Sequence, residues 1–318
     1  MRKVLLATTA LVAMGGVSAA SADISISGTA SFNYTTTSGS GTGPASNVAG
    51  ATAEERDFTT NVDANISMSS SLDNGMSISG LVSLDEGGVD DSGWSLSGDF
   101  GKIAFGGTAN DGFGSVATGL TADEGTTLTA ANFGGSGTVH NDYIDHSNVS
   151  LTLPTISGFT FGVGMSDGAA GANESNGDGT QWGITYAVPA GDTMGVSLGY
   201  ASGSTGAANS DETSAGVTVT AGAATVVIAS NTSGNLTSDS IGASYKVSDA
   251  LTVQAYTGNN ESSANANLDV TDTGMGLTYT ITPGLSLSIT HNDFKARNGT
   301  AAQDEDGTRT RVALDATF

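Results

Sequence analysis

Cysteine is absent from the 318-residue chain. That excludes a disulfide framework and any thiolate metal site. Proline occurs four times beside 46 glycines. The glycines follow no three-residue period, which excludes collagen-like and polyproline architectures. Basic residues are scarce: nine Lys and Arg stand against 32 Asp and Glu, for a net charge of −23. So acidic a chain repels nucleic acid and favours cations. No long amphipathic helix pattern is present. Catalytic signatures are missing as well, with no Gly-x-Ser-x-Gly elbow, no His-Glu-x-x-His helix and no phosphate loop. The three histidines, His140, His146 and His291, have no third ligand at zinc spacing. Nothing here points to an enzyme.

What is present begins at the two ends. Arg2 and Lys3 precede an apolar stretch from Val4 to Met14, and Ala20-Ser21-Ala22 offers a small-residue cleavage site. The stretch is far shorter than the ~20 residues that cross a bilayer as a helix. Residues 1–22 are therefore expected to be a secretory signal peptide, with 23–318 as one mature domain. Without Arg2 and Lys3, seven basic residues face 32 acidic ones, a net charge of −25. At the other end Val312, Leu314, Ala316 and Phe318 alternate with Arg311, Ala313, Asp315 and Thr317. Period two is the mark of a strand with two different faces.

Similar alternation recurs along the chain. Ile24, Ile26, Phe32 and Tyr34 oppose Ser25, Ser27, Ser31 and Asn33; Phe58, Val62 and Ile66 oppose Thr59, Asp63 and Ser67; Met76, Ile78, Val82 and Leu84 oppose Ser77, Ser79 and Ser83. Thirteen further strands are predicted at 93–98, 102–107, 148–153, 159–166, 180–187, 193–201, 212–220, 223–230, 238–246, 251–257, 271–281, 285–292 and 308–318. Sixteen strands, each with an apolar and a polar face, suit a closed antiparallel transmembrane β-barrel. In lipid every backbone N–H and C=O must be paired, so no sheet edge can remain. Connections are expected to alternate in length. Seven are short, such as Asp73-Asn74-Gly75, Asp99-Phe100-Gly101 and Thr282-Pro283-Gly284. Eight are longer: 35–57, 86–92, 109–147, 167–179, 202–211, 231–237, 258–270 and 293–307. Candidate interfacial aromatics are Phe32, Tyr34, Phe58, Trp94, Phe105, Phe159, Phe161, Tyr186, Tyr200, Tyr245, Tyr279 and Phe318.

Trp94 to Gly107, with its Gly98-Asp99-Phe100-Gly101 turn, resembles the strand-turn-strand ahead of the constriction loop of trimeric Gram-negative porins. Asn148 to Gly168, with Pro154 and Gly158-Phe159-Thr160-Phe161-Gly162, resembles the hairpin that follows that loop. Its ending Met165-Ser166-Asp167-Gly168 is most like the porins of alphaproteobacteria. The C-terminal Phe318 strand resembles the segment read by the barrel-assembly machinery. The resemblance implies a homotrimer in the outer membrane of a Gram-negative bacterium, surrounded by its lipid and passing small ions and polar solutes. It implies a long third external loop folded into the lumen, with acids of that loop facing bases of the wall. Carried over, the acids are Asp111, Asp123, Glu124, Asp142 and Asp145. The wall bases are Lys102, Lys246, Arg309 and Arg311. With so few bases in the chain, the channel is expected to prefer cations.

A second reading is a secreted acidic β-rich adhesin or surface-layer protein. Acidic segments at Asp85-Glu86, Asp90-Asp91, Asp304-Glu305-Asp306 and Asn173 to Gly179 are candidates for Ca²⁺, which takes hard oxygen ligands. No other cofactor is expected.

Overall fold

A computed structural model describes residues 23–40, 55–85, 88–106, 149–166, 179–189, 194–204, 211–262, 268–298 and 305–318. Sixteen strands form one sheet: β1 (Asp23–Ser40), β2 (Glu55–Ser71), β3 (Ser77–Asp85), β4 (Gly88–Gly98), β5 (Gly101–Gly106), β6 (Val149–Thr152), β7 (Phe159–Ser166), β8 (Gly179–Val188), β9 (Met194–Ser204), β10 (Glu212–Ala221), β11 (Ala224–Ser233), β12 (Leu236–Lys246), β13 (Leu251–Ser262), β14 (Leu268–Thr282), β15 (Leu285–Asn298) and β16 (Glu305–Thr317). Each pairs antiparallel with the next, and β16 pairs with β1 to close the barrel. Every expected strand has its counterpart.

Several strands are longer than the alternation indicated. β1 runs on to Ser40, β2 begins at Glu55, and β15 continues to Asn298. Two connections expected to be long are short. Gly234-Asn235 alone joins β11 to β12, and only 86–87 separate β3 from β4. The strict alternation of loop lengths therefore fails at these two places. The cause is physical: beyond the membrane both faces of a strand meet water, so both can be polar. A paired segment there carries no period-two hydrophobic signal and looks like a loop. The expected inward fold of 109–147 lies outside the described residues.

Two faces organise the wall. One carries Ile24, Ile26, Val62, Met68, Leu198, Ile228, Ile241, Met275, Ile289 and Leu314, all exposed; Ile26 is 70% and Met275 64% accessible. Cross-strand registers keep this parity around the barrel, as in Phe32↔Leu314, Leu198↔Tyr186, Ile228↔Ile241 and Leu277↔Ile289. Such an apolar outer face is costly in water and favourable in lipid. On β1 it runs from Ile24 to Tyr34, about 25 Å of height at an ordinary strand rise and tilt. Outward charges such as Arg56, Asp239, Glu261, Asp293 and Lys295 lie toward the strand ends away from the short turns, where water takes over.

All twelve predicted interfacial aromatics share the outward parity. Several meet across strands: Trp94 stacks on Phe105 at 4.3 Å, Phe159 on Tyr186 at 4.1 Å, and Tyr34 lies 4.8 Å from Phe58. Trp182, absent from the predicted set, joins Phe161 and Tyr200. Such pairs add about 0.5–1.5 kcal/mol each beyond area burial.

The seam between the chain's ends is closed tightly. Gly28 N–H donates to the Phe318 carbonyl at 2.7 Å, and Phe318 N–H donates to the Gly28 carbonyl at 3.0 Å. A Cβ on Gly28 would come within 2.6 Å of the Phe318 ring. Glycine thus gives the terminal aromatic its seat on the first strand.

Candidate functional site

The face opposite the lipid band lines the inside of the barrel. Its residues are small or polar for much of its area: Ser25, Ser27, Thr29, Ser31 and Asn33 on β1; Asn61, Asp63, Asn65 and Ser67 on β2; Ser77 and Ser79 on β3. Neighbouring hydroxyls pair with one another, as in Ser77 with Ser97 at 2.8 Å and Ser79 with Ser95 at 2.7 Å. Asp63 accepts from Thr29 Oγ1 at 3.2 Å and from Asn61 Nδ2 at 3.0 Å. A wall of this chemistry is wetted, because its polar groups gain more from water than from hydrocarbon.

Arg309 and Arg311 stand on the inward parity of β16. They sit opposite Asn292 and Thr290 of β15, and opposite Thr37 and Thr35 of β1. Both lie well above the rim of short turns, with Thr317 marking that rim on the same strand. Arg311 donates from Nε at 3.1 Å and from Nη2 at 2.6 Å to Asn33 Oδ1, across the seam. Beside them is a compact acidic group. Asp272 of β14 is only 4% exposed. Its carboxylate accepts from Tyr256 Oη at 3.2 Å and from Asn292 Nδ2 at 3.1 and 3.2 Å. A buried carboxylate needs such donors, since desolvation without them would neutralise or expel it.

The two lysines do not join this group. Lys102 is the second residue of β5, opposite Ser97 and Thr152, next to a short turn. Lys246 is the last residue of β12, and its Nζ pairs with Asp249 of the following turn at 3.0 Å. Both lie near the short-turn rim, far along the axis from Arg309 and Arg311. Their parity is inward, but parity carries no height. The acids Asp111, Asp123, Glu124, Asp142 and Asp145 lie outside the described residues, as do His140 and His146.

Asp272, Asn292, Tyr256, Asn33, Asp63 and Asp315 were not singled out from sequence. The signal for most was available: Asp272 alternates with Thr271 and Thr273 and shares parity with Gly274 and Gly276, opposite Met275, Leu277 and Tyr279. The same rule that found Arg309 would have found Asp272. Among the described residues no cluster of His and acidic side chains is placed to hold a metal. A depression of about 700 Å³ lined by Val217, Ile228, Asp239, Ile241, Thr257 and Asn259 opens on the outer wall, and so is no part of the lumen.

A family profile described as Gram-negative porin matches residues 7–299. The chain belongs to the Gram-negative porin family. Solved structures share its fold. An anion-selective porin from Comamonas acidovorans is 16% identical with a TM-score of 0.64, covering 93% of this chain and 100% of that one. The outer membrane channel DcaP of Acinetobacter baumannii is 13% identical, with a TM-score of 0.65 and coverage of 93% and 97%. A loop-deletion form of OmpT, an outer membrane protein of Vibrio cholerae, is 15% identical, with a TM-score of 0.61 and coverage of 93% and 99%. No curated protein matches the sequence at a significant level.

This porin is an outer-membrane channel protein, and its family and fold are those of channels rather than enzymes. The adhesin reading finds no support. A secreted adhesin would leave the whole apolar outer wall in water, far beyond the few hundred Å² of contiguous apolar patch that soluble proteins tolerate.

Proposed function

We propose that this porin is a water-filled channel for passive diffusion of ions and small hydrophilic solutes, that it prefers cations, and that it works as a homotrimer. The observation that carries the reading is the sorting of side chains by parity, with an apolar wall outside and a polar one within. The proposal includes removal of residues 1–22, on the charged start, the short apolar stretch and the Ala20-Ser21-Ala22 site. It also includes delivery by the barrel-assembly machinery through the Phe318 strand. The ending Met165-Ser166-Asp167-Gly168 supports an alphaproteobacterial kinship.

Cation preference rests on the charge inventory. Acids exceed bases by more than threefold across the chain. Inward acids in the described wall, among them Asp57, Asp63, Asp272 and Asp315, face few bases. The loop acids Asp111, Asp123, Glu124, Asp142 and Asp145 are proposed to add to the negative potential at the constriction. Fold does not fix the sign of selectivity; the fixed charges do.

Planar bilayers containing the refolded mature protein are expected to show discrete conductance steps, with a reversal potential in a salt gradient favouring cations. A folded barrel with no conductance overturns the channel, and an anion-favouring potential overturns the preference. Replacing Arg309 and Arg311 by glutamine should strengthen cation preference. Neutralising Asp142 and Asp145 should weaken it, and a reversal potential unmoved by either change removes those residues from the ion path. Cross-linking should trap a three-chain species. Passive diffusion needs no cofactor. If acidic loop tips hold calcium, a chelator will lower the unfolding temperature, and calcium will restore it.

A further inference from the structure

We infer that Asn33 is a positioning residue for the lumen's positive charge: it tethers the Arg311 guanidinium flat against the β1–β16 seam and so keeps it away from the channel axis. The inference rests on the channel reading above.

Arg311 sits opposite Thr35 in register. It slants along the wall to Asn33, which lies one inward position nearer the short turns and opposite Ala313. Both Nε and Nη2 converge on the one Asn33 oxygen, at 3.1 and 2.6 Å. Two donors from one planar guanidinium on one acceptor fix the direction of the group as well as its distance. Ala313 faces the same lumen but is only 2% exposed. Its small methyl leaves the groove along which the arginine arm can lie.

Asn33 is itself held. Its Nδ2 donates to Thr59 Oγ1 of β2 at 3.3 Å. With the amide nitrogen engaged on that side, the oxygen is turned toward Arg311. The relay Thr59–Asn33–Arg311 spans three adjacent strands, and its central link joins residues 278 apart in sequence. A long flexible side chain on a wetted face gains entropy by projecting into solution.

Position decides how strongly the charge acts on passing ions. Coulomb energy falls with distance, and salt screens fixed charge beyond ~10 Å at 0.1 M. A guanidinium at the wall is felt weakly at the axis. Released, it would reach several ångströms further in, where it would repel cations and narrow the bore.

The test is the reversal potential of intact porin in planar bilayers at 0.1 M and at 1 M KCl, for wild type, Asn33→Ala, Arg311→Gln and the double variant. Asn33→Ala is expected to raise the anion-to-cation permeability ratio about twofold at 0.1 M, an effect that shrinks at 1 M as screening tightens. Arg311→Gln should shift the ratio the other way, and the double variant should match Arg311→Gln alone. Thr59→Val, which loosens Asn33 without touching the seam, should give a smaller shift in the direction of Asn33→Ala. It supplies the decisive measurement if Asn33→Ala does not fold. An Asn33→Ala channel with the wild-type ratio, or a shift that persists without Arg311, overturns the inference. A wild-type barrel that does not conduct overturns the channel reading instead, so the two failures are distinct.

Discussion

An arginine in place of Leu198 is expected to reduce stable insertion of the barrel sharply, while an arginine in place of its neighbour Ser197 leaves insertion intact. Leu198 points outward between Tyr186 and Val217, and is 41% exposed. It stands within the apolar band, so the substituted guanidinium would face hydrocarbon. The cost there is about 2–4 kcal/mol at mid-depth. Lost burial of the leucine against its neighbours adds about 1 kcal/mol. A total of that size is a large share of ordinary folding stability, which is about 5–15 kcal/mol. Ser197 belongs to the other parity, with Thr218 and Ala187 opposite. An arginine there meets water. Folding yield into lipid vesicles, read from the heat-modified gel shift, should fall steeply for Leu198→Arg and little for Ser197→Arg. Ser197→Arg should instead move the reversal potential toward anions. Equal loss of folding for both variants would contradict the assignment of faces on which the channel reading stands.

Gly101→Ala is expected to be the most damaging single methyl in the described structure. Gly101 has φ +106°, a region that side chains other than hydrogen rarely adopt. Backbone strain alone is worth about 1–3 kcal/mol. An added Cβ would also collide with the Thr152 carbonyl oxygen and lie 3.0–3.1 Å from the carbonyl carbons of Thr152 and Leu153. Backbone atoms of a paired strand cannot step aside as a side-chain tip can. β6 holds only four residues, so the strand that must move has little pairing to keep it in register. A contact-free glycine in the ordinary left-handed region gives the comparison. Gly222 also has positive φ, at +57°, but nothing lies within 4 Å of its would-be Cβ. Gly222→Ala should cost about 1 kcal/mol. The unfolding temperature should therefore drop much further for Gly101→Ala than for Gly222→Ala. Similar drops would mean that conformation, not collision, makes this glycine necessary.

Arg309 and Arg311 show where a channel's charge is written and where it is placed. Their alternation with Val312 and Leu314 assigns them to the polar face of β16 from sequence alone. What they touch is another matter. Arg311 bonds Asn33, and Arg309 stands opposite Asn292, the residue that donates to Asp272. Lys102 and Lys246 have the right parity too, yet they belong to the short-turn rim. The four bases thus form two groups at different depths, and the arginines are the pair that stands beside Asn292 and Asp272.

Local chemistry determined most of the architecture of this porin. Alternation of Ile24, Ile26, Phe32 and Tyr34 with serines and Asn33 needs only the period of a strand. Closure of those segments into a barrel needs only the rule that backbone groups in lipid must be paired. The aromatics of the outer face followed from the same parity. Strand length did not: polar residues beyond the membrane pair as well as apolar ones, so Ser40, Glu55 and Asn298 looked like loop. The tertiary structure alone decided which residues from distant segments come together. The seat of Phe318 on Gly28, the reach of Arg311 to Asn33 and the enclosure of Asp272 by Tyr256 and Asn292 all depend on register. Register between strands, and above all across the seam that joins the two ends, is fixed by closure of the whole sheet. A period of two says which way a side chain points, and nothing about what stands beside it.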